Sequence, residues 1–174
     1  MSSIADRALA FATAKHQGKK RRNGEEFIVH PIAVGEHIKR YKSDECFDEL
    51  IAAGYLHDIL EETDVTYVEL VNTFGYLIAG MVLELTTDED MKTDLGKEKY
   101  LSYRFKNMTS WALSIKLCDR LHNTSDLTIL DDDFKDRYIE ETENILDFLE
   151  KNRELTNTQM AIISEIRKNI ENIK

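Results

Sequence analysis

Leu50-Ile51-Ala52-Ala53-Gly54-Tyr55-Leu56-His57-Asp58-Ile59-Leu60-Glu61-Glu62-Thr63 runs an apolar segment straight into a histidine and three carboxylates. Read as one helix, the stretch sets Glu61 four residues after His57 and three after Asp58, so these side chains converge on one patch. The residues before His57 are apolar enough for a core, which puts the ionisable groups at the edge of a buried region. Burying them without partners is costly, and a shared cation would offset that cost.

On either side of this run the pattern is helical. A first helix is expected from Ser3, a plausible N-cap, to about His16, with Ile4, Ala8, Phe11 and Ala12 on one face and Gly18 ending it. Lys19-Lys20-Arg21-Arg22-Asn23-Gly24 reads as a basic loop, and His30-Pro31 opens a second helix to about Tyr41 with proline at its first position. Ser43 or Asp44 can cap the helix that carries the opening run. Thr66-Tyr67-Val68-Glu69 has the form of a capping box for the next, whose Leu70, Val71, Phe74, Leu77, Ile78, Met81 and Val82 recur at helical spacing up to Thr86.

Beyond it, the acidic stretch 88–94 reads as a loop, followed by a helix near Lys97 to Lys106. Ser110 can cap a helix through Leu121, on which Lys116, Asp119 and Asn123 form a polar stripe. Two amphipathic helices are expected at about Phe134 to Leu149 and Thr156 to Ile173. Ile162, Ile163, Ile166, Ile170 and Ile173 suit either a core face or the contact of a homodimer, with the core favoured.

Composition bounds the function. The 174 residues suggest one domain, and 42% hydrophobic and 32% charged residues with one proline and seven glycines favour an all-α fold. A net charge of −10 argues against nucleic acid or a membrane surface as partner. The N-terminus lacks the pattern of a signal peptide and no window is expected to span a membrane, which reads as cytoplasmic. Cys46 and Cys118 lack CxxC spacing and read as buried thiols.

His30, the pair His57-Asp58 and the later Asp119 resemble the H…HD…D metal ligands of the HD-domain phosphohydrolase superfamily. More narrowly, Ala14-Lys15-His16-Gln17-Gly18-Lys19-Lys20-Arg21-Arg22-Asn23-Gly24 with Phe27-Ile28-Val29-His30-Pro31, then Leu56 to Thr63, Phe74-Gly75, and Ile115 to Asn123, resemble the hydrolase domain of the RelA/SpoT family in order and spacing. The likeness covers about residues 4 to 150, and the chain is too short to add that family's synthetase domain. It therefore looks like a stand-alone small alarmone hydrolase of the metazoan SpoT homologue type, a single-domain HD helical bundle over residues 1–174.

The resemblance implies one divalent ion, manganese, held by His30, His57, Asp58 and Asp119. Two imidazoles and two carboxylates suit a borderline divalent ion. The implied reaction is hydrolysis of the 3′-pyrophosphate of guanosine 3′,5′-bis(diphosphate) (ppGpp) or its pentaphosphate analogue, with Glu61 and Glu62 activating water and Arg21, then Arg22 and Asn123, holding the substrate. The family usually has Glu-Asp where this chain has Glu61-Glu62, and one methylene is enough to alter rate or substrate choice. Two rivals stay open: hydrolysis of another nucleotide, such as the 2′-phosphate of NADPH or an adenosine analogue, and a catalytically idle nucleotide sensor. His16, His37 and His122 read as surface residues or as residues that support the site's ligands from behind.

Overall fold

The computed structural model describes residues 2–41 and 47–174; the expected cap at Ser43 or Asp44 and the Cys46 thiol lie outside them. Among the described residues the chain is all-α, its strand content limited to one isolated antiparallel bridge between Lys20 and Glu26. The residues gather into two compact units, Met1–Thr86 and Thr87–Lys174.

The first unit holds α1 (Ile4–Lys15), α2 (Val29–Tyr41), α3 (Phe47–Leu56), α4 (Ile59–Glu62) and α5 (Tyr67–Leu85). Helix α3 is its centre: every residue from Leu50 to Leu56 is buried, and α1, α2 and α5 all pack on it. The α2–α3 approach depends on two glycines. A Cβ on Gly35 would collide with the Tyr55 ring, and one on Gly54 with Ile38 Cδ1.

Ser3 closes α1 with a full capping box through Asp6. Thr66 caps α5 by accepting the Glu69 amide. The expected apolar face of α5 is buried at Leu70, Phe74, Ile78, Met81 and Val82, but Gly75, at φ 82° and ψ 169°, breaks the helix between Phe74 and Tyr76. Arg7 Nη2 donates to the Thr73 carbonyl beside that break at 2.9 Å. The expectation that no stretch suits a membrane needs correction: the stretch 67–95, which spans α5 and the following acidic helix, is long and apolar enough by length and composition alone. Gly75 interrupts it, and the buried positions of α5 accompany its packing on α3.

Three other boundaries differ from expectation. Helix α2 begins two residues before Pro31 rather than at it. The run from Leu50 to Thr63 is not one helix, because α3 stops at Leu56 and α4 starts at Ile59. His57 and Asp58 form the turn between them, where a ring nitrogen of His57 takes the carbonyl of Gly54.

The second unit holds α6 (Glu89–Leu95), α7 (Lys97–Asn107), α8 (Ser110–Ser125), α9 (Asp132–Asn152) and α10 (Asn157–Ile173), with a 3₁₀ turn at Leu127–Ile129. The acidic stretch expected as a loop is helical, since Asp88 caps α6 by accepting the Met91 amide at 2.9 Å. Thr109 caps α8 in place of Ser110. Ile162, Ile163, Ile166 and Ile170 are buried where α10 packs on α8, which is the core arrangement. Arg120 is buried, donating to Thr142 Oγ1 at 2.7 Å and Glu141 Oε1 at 3.2 Å, with its guanidinium over Phe105 and Tyr138.

Candidate active site

The turn that ends α3 builds the centre of the first unit. His57 is 1% exposed, and its Nδ1 lies 2.8 Å from the Gly54 carbonyl oxygen. A carbonyl only accepts, so Nδ1 carries the proton and Nε2 presents its lone pair. That lone pair faces His30, the second residue of α2, with Nε2 to Nε2 at 3.2 Å. Asp58 closes the triangle, its Oδ2 3.1 Å from His57 Nε2 and 3.7 Å from His30 Nε2.

Cis ligands held at about 2.1 Å from one ion stand about 3 Å apart, close to these three separations. Two imidazole nitrogens and a carboxylate oxygen thus offer one face of a divalent-ion site, and a carbonyl bond behind His57 is the usual device for aiming such a ligand. The residues present fit a divalent metal.

The second half of the run behaves otherwise. Helix α4 hangs from the Asp58 carbonyl, which accepts the Glu61 and Glu62 amides at 3.1 and 2.9 Å. The break at 57–58 cancels the helical spacing that would bring Glu61 against His57. Glu61 is exposed, while Glu62 is paired with Lys19 Nζ at 3.2 Å.

The basic loop is a tight hairpin. Arg21 N–H donates to the Glu25 carbonyl at 2.9 Å, Phe27 N–H to the Lys19 carbonyl at 2.9 Å, and Gly24 takes φ 88° at the turn. Asn23 braces it, its side chain meeting both the amide and the carboxylate of Glu25. Arg21 is half-buried and Arg22 exposed.

In the second unit the expected stripe on α8 is realised. Asp119 is 6% exposed, with Lys116 Nζ 2.8 Å from Oδ2 and Asn123 Nδ2 donating to Oδ1 at 2.7 Å. Its two neighbours one turn away orient the carboxylate.

His16, expected either at the surface or behind the site's ligands, is 2% exposed, which excludes the surface. It is the C-cap of α1 and stacks on Phe27, with ring centroids 4.7 Å apart. Burial pushes its imidazole below the ordinary range, opposed by the Asp58 and Glu62 charges and aided by those of Lys19 and His57. The signal was available: the buried positions of α1 are Ala5, Ala8 and Ala12, and His16 continues that row. The Lys19–Glu62 pair had no such signal, being distant in sequence.

Comparison with known proteins gives the family. A family model described as the HD domain matches residues 8–154. A guanosine-3′,5′-bis(diphosphate) 3′-pyrophosphohydrolase of Aquifex aeolicus is 34% identical over 148 residues, covering 80% of this chain and 20% of that protein. One of Borreliella burgdorferi is 37% identical over 136 residues, covering 75% and 20%. A putative chloroplastic GTP diphosphokinase of rice, Oryza sativa subsp. japonica, is 37% identical over 135 residues, covering 70% and 15%. The chain thus spans about a fifth of the length of the curated relatives it matches.

Among solved structures, a metazoan ortholog of SpoT described as hydrolysing ppGpp shares the fold with a TM-score of 0.80 at 22% identity, over 100% of this chain and 98% of that one. A Listeria monocytogenes protein does so with a TM-score of 0.69 at 19% identity, over 86% and 98%. With the HD pair seated beside a second histidine and the family pattern running from residue 8 to residue 154, the chain belongs to the HD domain family.

Proposed function

We propose that this protein is a metal-dependent phosphohydrolase that removes the 3′-pyrophosphate of guanosine 3′,5′-bis(diphosphate) and its pentaphosphate analogue. The observation that carries this reading is the triangle of His30 Nε2, His57 Nε2 and Asp58 Oδ2, with edges of 3.2, 3.1 and 3.7 Å. The names of the relatives supply the substrate class.

His30, His57 and Asp58, with Asp119 as fourth ligand, would hold the ion, and manganese is our choice. A bound divalent ion lowers the pKa of water and draws charge from a phosphoryl oxygen. Glu61 with Glu62 takes the proton of the attacking water, and Lys19, 3.2 Å from Glu62 Oε2, positions that carboxylate. Arg21 and Arg22 grip the pyrophosphate, assisted by Asn123. Water's oxygen joins phosphorus, the bond from phosphorus to the ribose 3′ oxygen breaks, and that oxygen gains a proton, giving GDP or GTP and pyrophosphate.

The chain's net charge of −10 speaks against nucleic acid or a membrane surface as partner, and we place the protein in the cytoplasm. Anion-exchange analysis of products from guanosine 3′,5′-bis(diphosphate), with and without manganese, tests the reading. Pyrophosphate release that needs manganese and disappears in Asp58→Ala is expected. Intact substrate in every sample, or turnover of a different nucleotide alone, overturns it.

A further inference from the structure

Among the described residues, the two ring nitrogens of His16 are the fully buried side-chain polar atoms that lack a hydrogen-bond partner. A core imidazole normally spends at least one nitrogen on a carbonyl or hydroxyl, as His57 does on Gly54. Phe27 covers one face of the His16 ring, with planes inclined by 28°, and satisfies neither nitrogen. If filling space were the whole task, phenylalanine or leucine would do it without burying two polar atoms.

The surroundings point to a ligand. The titratable groups near enough to act on the ring are Asp58, Lys19, Glu62 and His57, all belonging to the HD turn or to the Lys19–Glu62 pair beside it. The turn after α1 serves both: the His16 carbonyl accepts the Lys19 amide at 3.0 Å, and Gly18 at φ 80° lets the chain reverse there. One tight turn thus carries both a basic partner for Glu62 and a sequestered imidazole.

We propose that His16 is a ligand-binding residue of the HD site, hydrogen-bonding an oxygen, of the attacking water or of a substrate phosphate, beside Asp58 and Glu62. The inference rests on the phosphohydrolase reading above. The neutral ring offers one N–H and one lone pair, enough to donate to a phosphate oxygen or to orient a water molecule. Phe27 fixes the ring plane, so the direction of that bond is set before substrate arrives.

Steady-state kinetics with guanosine 3′,5′-bis(diphosphate) and manganese, alongside thermal melting, test it on wild type, His16→Phe, His16→Leu and His16→Asn. His16→Phe keeps the stack and removes both nitrogens; His16→Leu removes them in a second shape, in case the first fails to fold. Melting at or above wild type is expected for at least one of these, with kcat/KM lower by on the order of 10- to 100-fold, unchanged manganese affinity, and partial recovery in His16→Asn. A loss confined to kcat assigns the oxygen to water; a rise confined to KM assigns it to phosphate. A folded apolar variant with wild-type kcat and KM overturns the proposal. Should wild type leave the alarmone intact, the function reading fails by itself. Calorimetric titration of inorganic pyrophosphate with manganese then decides about His16: at least about fivefold weaker binding in the apolar variants supports it, and equal binding overturns it.

Discussion

Replacing Gly35 with alanine tests whether helix packing sets the metal-site geometry. The new Cβ would stand 2.8 Å from Tyr55 Cδ1 and Cζ and closer still to Cε1, whereas ordinary contact begins at 3.4 Å. Tyr55 is 3% exposed and its ring cannot bend, so α2 must retreat by roughly 1 Å. Overpacking of this kind costs about 3 kcal/mol, and the helix propensity of alanine returns about 1, leaving a net loss of about 2 kcal/mol. In urea that lowers the midpoint by about 1 M. Gly80, on α5 with open space around it, is the control: Gly80→Ala should gain up to about 1 kcal/mol.

The functional consequence follows from position. His30 lies on α2 and His57 directly after α3, so a retreat widens their 3.2 Å separation beyond what suits two cis ligands of one ion. A misplacement of about 1 Å can cost about 100-fold in rate. Urea denaturation, manganese calorimetry and turnover of Gly35→Ala, with Gly80→Ala beside it, measure all three quantities. A wild-type urea midpoint would refute the packing step. A lowered midpoint with intact manganese affinity and turnover would refute the coupling of packing to the site.

Arg120→Ala should cost about 3–5 kcal/mol, because it removes a buried partner of Glu141 and Thr142 together with the volume packed over Phe105 and Tyr138, and Arg120→Met should cost less, since it refills that volume while Glu141 keeps Lys97 at 2.7 Å in both variants; urea midpoints of the two variants decide, and equal losses count against the packing share. The Cys118 thiol, pushed up to about 12 by burial, should resist alkylation at pH 8 in the native protein and react once denatured, as peptide mass mapping will show; rapid native labelling contradicts the burial. His16 lies below its ordinary value of 6.5, so folding favours its neutral form, and this stability is present above 6.5 and lost as pH falls. The melting advantage of His16→Phe over wild type should therefore widen between pH 7 and pH 5, and a constant gap would contradict a buried neutral ring.

Local signals were legible where a short side chain closes a nearby backbone group. Ser3 and Thr66 cap α1 and α5 where the sequence pattern puts them. The all-α class followed from composition and helical spacing, and His30, His57 and Asp58 from the resemblance of their motif. Asp88 misled because an acidic, weakly periodic run hides a good N-cap. The break at His57–Asp58 was not legible, since neither glycine nor proline marks it. What breaks the helix is a ring nitrogen taking the Gly54 carbonyl, and that competition depends on where His30 and Asp58 stand.

What the sequence by itself determined is therefore the helical periods and the caps at Ser3 and Thr66, governed by neighbours within one or two turns. Tertiary structure alone decided that Gly35 admits Tyr55, that Lys19 partners Glu62, that Glu61 is exposed, and that His16 is buried with two nitrogens to satisfy. These are relations between residues far apart along the chain. Their energies come from close packing and from withdrawing charge from water, which exist only once the helices have met.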